Sequence, residues 1–98
     1  MRTYIVAYTF KGSRDEQHHL AVADALWSCG TLLPFFDTMQ TLRILESEMT
    51  AAQISERLVS MFEPEDELLI AGLYMPNIKW GGLVPVEVAI KCLGSGRI

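Results

Sequence analysis

The sequence predicts a single α+β domain in which two helices pack on one face of an antiparallel sheet, with the element order βαββαβ. Three observations carry this. Strand-like runs occur at Thr3–Phe10, Thr31–Phe36, Thr41–Ser47 and Glu67–Tyr74. Two capping boxes, Ser13-Arg14-Asp15-Glu16 and Thr50-Ala51-Ala52-Gln53, each open an apolar stripe at helical spacing. The boxes follow the first and third runs, which is the split-βαβ, or ferredoxin-like, plan. At 98 residues the chain suits one domain, with a core over 1–75 and a C-terminal extension over 76–98.

Each element has a local reason. In Thr3–Phe10, Tyr4, Val6, Tyr8 and Phe10 share one face and Thr3, Ile5, Ala7 and Thr9 the other. Because Ile5 and Ala7 are also apolar, this strand is expected at the centre of the sheet. The first helix carries His19, Val22, Ala23, Leu26 and Trp27 as its inward stripe and stops at Gly30. Pro34 lacks a donor, which assigns 31–36 to an edge or a bulge. Asp37–Gln40 is the expected hairpin turn. Along 41–47, Leu42, Ile44 and Glu46 oppose Thr41, Arg43 and Leu45. Ile54, Leu58, Met61 and Phe62 form the stripe of the second helix, and Pro64 ends it. The continuous apolar run in 67–74 suits a strand covered on both faces or paired at an interface.

Two patterns compete in the extension. Val84, Val86, Val88, Ile90 and Cys92 alternate as a strand would. Pro85 could instead open a short helix, with Glu87 and Lys91 paired four apart and Gly94 closing it. The alternation is given the greater weight, so an additional C-terminal strand is expected.

Composition limits the function classes. Half the residues are apolar, 20% are charged and the net charge is −4. That balance argues against disorder and against a general nucleic-acid binder, which would show a basic excess. No run reaches the ~20 apolar residues of a membrane helix. Arg2 followed by a short alternating run is no signal peptide. Cys29 and Cys92 have no metal or CxxC spacing and are expected as reduced core residues. The cytoplasm is the expected compartment, with no membrane partner.

Chemistry-bearing residues are sparse. Adjacent His18 and His19 point about 100° apart on a helix and cannot both bind one ion. Glu63, Glu65, Asp66 and Glu67 crowd one loop without the EF-hand spacing, which suits a solvated turn. Ser13 is explained as a cap, and no nucleophile motif or phosphate loop occurs. No catalytic residue, metal ligand or cofactor is assigned. A ferredoxin-like sheet has one face bare of helices, so either the tail or a second copy must cover it. A homodimer is expected, with Tyr4, Tyr8, Phe10, Val84, Val86, Val88 and Ile90 at its interface.

The stretches TYIVAY at Thr3–Tyr8, TLRILES at Thr41–Ser47, TAAQISERL at Thr50–Leu58 and EDELLIAGL at Glu65–Leu73, with Trp80 beyond them, resemble the small SinR-like proteins. Those are similar in turn to the small subunit of the CRISPR adaptation complex and to VapD-type toxins. The resemblance implies a βαββαβ homodimer, sometimes with a C-terminal strand joining the partner's sheet. Its nuclease members use an Asp at the end of the first strand to hold magnesium or manganese between protomers. Thr9 stands at that position here, and a hydroxyl is a poor substitute for an anionic oxygen ligand. The expectation is therefore a non-enzymatic interaction protein that binds another protein in a mobile-element, phage or phage-defence setting. The alternatives are a nuclease or nucleic-acid-binding dimer using Lys11, Arg14 and Arg43, and a small-molecule-binding regulatory domain.

Overall fold

The computed structural model describes residues 1–12, 16–36 and 41–98. Its strands are β1 (Arg2–Thr9), β2 (Thr31–Leu32), β3 (Leu42–Ser47) and β4 (Glu67–Gly72), and its helices are α1 (Glu16–Cys29), α2 (Ala51–Leu58) and α3 (Val86–Leu93). The sheet order is β2-β3-β1-β4, with every neighbouring pair antiparallel. This is the α+β, ferredoxin-like βαββαβ arrangement, and β1 lies inside the sheet as its two apolar faces require.

The first core lies between the sheet and α1 and α2. Tyr4, Val6 and Tyr8 of β1 and Leu45 of β3 meet Val22 and Leu26 of α1 and Ile54 and Leu58 of α2. The buried stripe of α1 is Val22, Leu26 and Cys29, whereas Trp27, expected on it, is 54% exposed. Five residues beyond Val22, at ~100° per residue, Trp27 sits about 140° off that stripe. The α2 capping box is present: Gln53 N–H donates to Thr50 Oγ1 (3.2 Å) and Thr50 N–H to Gln53 Oε1 (2.9 Å). The first box, residues 13–16, lies mostly outside the described residues, as does the turn 37–40.

Gly30 follows α1 but has no left-handed backbone; a Cβ there would collide with the Glu46 carbonyl oxygen. The helix ends there as expected, but the glycine serves close approach to β3 rather than a left-handed cap. Ser47, 1% exposed, supports the same junction: its hydroxyl donates to the Cys29 carbonyl (2.6 Å) and accepts from Met49 N–H (3.0 Å). β2 is shorter than the expected 31–36. After one more ladder bond, Leu33 N–H to the Ile44 carbonyl (2.9 Å), the chain bends at Pro34.

The expected C-terminal strand is corrected. Residues 86–93 are the helix α3, because Ala89, Cys92 and Leu93, at helical spacing, form its buried stripe. The Gly94 N–H bonds the Ile90 carbonyl (2.9 Å), and Gly94 takes φ 82°, a left-handed conformation suited to glycine. The helix lies over its own sheet, not a partner's. It builds a second core with Ile44, Leu33, Phe35 and Trp80. Thr3, on that face, donates to the Cys92 carbonyl (3.4 Å). The bare face of the sheet is thus covered by the tail, but only toward the Thr3 end of β1. Both cysteines are free and buried. Among the described residues, no helix is long and apolar enough to cross a membrane.

Candidate interaction surface

The uncovered part of the sheet centres on β4. Among the described residues this strand pairs with β1 alone, in a register running from Tyr4 opposite Gly72 to Thr9 opposite Glu67. Leu73 N–H donates to the Thr3 carbonyl (2.9 Å). By alternation along the strand, Ala71, Leu69 and Glu67 also turn their backbone groups toward β1, while Leu68, Ile70 and Gly72 turn theirs outward. The strand contains no Pro, Lys or Arg, the residues that usually blunt such an edge.

A groove flanks the edge on each face. On the face away from α1 and α2, Ala7, Thr9, Leu42, Glu67 and Leu69 border a depression of about 410 Å³. Leu69 stands 58% exposed beside it. On the helix side, Ala51, Ala52 and Ser55 of α2 face Leu68 and Ile70 across a depression of about 360 Å³. Small residues on this side of α2 are what leave room next to the strand.

Acidic residues anchor the start of β4. Asp66 accepts Lys11 N–H at one oxygen (2.8 Å) and Glu63 N–H at the other (2.9 Å). Thr9 donates to Glu67 Oε1 (3.2 Å). The loop is therefore a clasp between β1 and β4. Among the described residues, no group of three or more His, Cys, Asp and Glu side chains is placed to hold a metal ion.

The predicted interface residues are scattered. Tyr4 and Tyr8, expected to meet a second copy, are 3% and 4% exposed in the core beneath α1 and α2. Their face is the one the helices cover. Phe10 packs on the same core, 5.2 Å from Tyr8 and 5.1 Å from Phe62 between ring centres. Val86 and Val88 pack on the second core, and Val84 and Ile90 are exposed. The rings of His18 and His19 meet Phe10 edge to face, with ring centres 4.6 and 5.2 Å from it, and His18 Nε2 lies 2.9 Å from the Met61 carbonyl oxygen.

Of the predicted phosphate contacts, Lys11 and Arg43 are described, and they are placed differently. Lys11 is exposed beyond the end of β1, whereas Arg43 pairs opposite Val6 on the helix-facing side, with its Nε buried and lacking a partner among the described residues. Arg14 lies outside the described residues. Burial pushes the Tyr8 hydroxyl above its ordinary pKa, partly offset by the Arg43 charge. Burial, then the nearby Glu46 carboxylate, pushes the Cys92 thiol up and makes it a poor nucleophile.

The sequence leaves 67–74 open between a doubly covered strand and one paired at an interface, because an unbroken apolar run fits both. The available signal was its lack of Pro and Lys, together with the Ala-Ala start of α2. The chain matches no family model, no curated protein and no solved structure.

Proposed function

We propose that the chain is a non-enzymatic interaction protein that forms a homodimer by antiparallel pairing of two β4 edges. The observation that carries this is the outward row of Leu68, Ile70 and Gly72, which no strand pairs among the described residues. A two-fold axis at Ile70 sets Leu68 opposite Gly72 of the second copy, so that outward groups meet outward groups. Leu69 then faces Ala71, and Glu67 faces Leu73, which brings no like charges into opposition. The exposed Leu69 becomes covered. The two sheets join, and the grooves over Ala7 and Leu42 lie side by side as a surface for a further protein partner.

Light scattering at micromolar concentration tests this. A mass of twice the 11.0 kDa chain is expected for the native protein. The Leu69→Lys variant should be monomeric with an unchanged circular-dichroism spectrum. A native monomer, or a Leu69→Lys variant that dimerises equally well, overturns the proposal.

A further inference from the structure

We propose that the space between the sheet and the tail is a binding site for a medium-chain carboxylate, an apolar tail carrying one anionic head. Its walls are Ile5 and Ile44 from the sheet, Leu93 from α3, and Trp80 and Ile98 from the tail. The volume is about 300 Å³. An apolar cavity of ~150 Å³ holds one benzene ring, so this one takes about twelve non-hydrogen atoms, the size of decanoate.

Two features select the head group and the site. Among the described residues, Lys79 carries the one charged side chain in the lining, and it is exposed to solvent. No carboxylate pairs with it among the described residues. An anion at the mouth with an alkyl chain inside matches this arrangement. Phe36, also in the wall, holds φ at 60°, a left-handed conformation that a bulky aromatic residue seldom adopts. Strain of this kind gathers at ligand clamps.

The test uses decanoate below its micelle concentration. Trp27→Phe, at an exposed position, leaves Trp80 as the sole tryptophan reporter. A saturable change in Trp80 fluorescence is expected, together with shifts of the Ile5, Ile44 and Ile98 methyl resonances. Lys79→Met should weaken decanoate about fivefold and leave decanol binding unchanged, a split that only a head-group contact produces. Phosphatidylglycerol vesicles should not retain the protein. Absence of saturation, shifts confined to other methyls, or equal decanoate affinity in Lys79→Met overturns the proposal, and vesicle retention assigns the chemistry to a lipid surface instead. The cavity shares no residue with the grooves beside β4, so repeating the titration in Leu69→Lys separates this inference from dimerisation.

Discussion

The two edges of the sheet are finished in opposite ways. β2 has two residues, is followed by a bend at the exposed Pro34, and is locked to β3 by Gly30 and Ser47. β4 has six residues, no proline or basic side chain, and open depressions on both sides. An edge can be silenced by shortening it, as in the two residues of β2, whereas β4 keeps six. The asymmetry teaches that the exposed row on β4 is not a generic property of edge strands in this molecule, since the same chain closes its other edge.

Substitutions can break this contrast from either side. The largest effect is expected at the closed edge. Gly30→Val forces a side chain into the Glu46 carbonyl and should cost about 3 kcal/mol, read by denaturant melts. Ser47→Ala removes one buried donor and one acceptor at the same junction and should cost about 2 kcal/mol in the same assay. Neither should change the mass at concentrations where the chain is folded. At the open edge, Leu69→Lys should leave the melt nearly unchanged but weaken self-association at least about tenfold, or ~1.4 kcal/mol, by sedimentation. Thr50→Ala loses the cap of the helix that walls the β4 groove, and a loss of about 1 kcal/mol is expected.

The smallest effect is on pH dependence. The Cys92 thiol is raised above its ordinary 9.0 by burial and by Glu46, and the Tyr8 hydroxyl above its ordinary 10.0 by burial. A group whose pKa is raised on folding contributes stability that is complete below its unfolded value and lost as pH climbs through the folded value. The melting temperature should therefore be insensitive to these two groups below pH 9.0 and fall above it. Cys92→Ser should flatten the first part of that fall, and an unchanged alkaline slope would show that Cys92 plays no part.

Most of the scaffold was legible from local rules, and the site was not. The strand alternation placed Tyr4, Val6 and Tyr8 on one face of β1, and the Thr50–Gln53 box marked the start of α2 correctly. The same rules could not say which face of β1 the helices would cover, so Tyr4 and Tyr8 were assigned to an interface and lie in the core. Residues 84–92 satisfy both periods at once, and tertiary packing of Ala89, Cys92 and Leu93 decides for the helix. The open edge depends on strand order, a long-range property. The apolar run from Leu68 to Leu73 is compatible with either a central or an edge position. Phe36 and the cavity beside it arise from the meeting of four segments far apart in sequence, and no local pattern announces them.

The covering of the sheet by α3 also orders events during synthesis. Residues 75–98 follow all four strands along the chain, yet they shield Ile5 and Ile44, which were made long before. A sheet assembled as it leaves the ribosome would show a wet, apolar underside until the tail arrives. For that interval the nascent protein offers a chaperone a larger sticky surface than the finished one does.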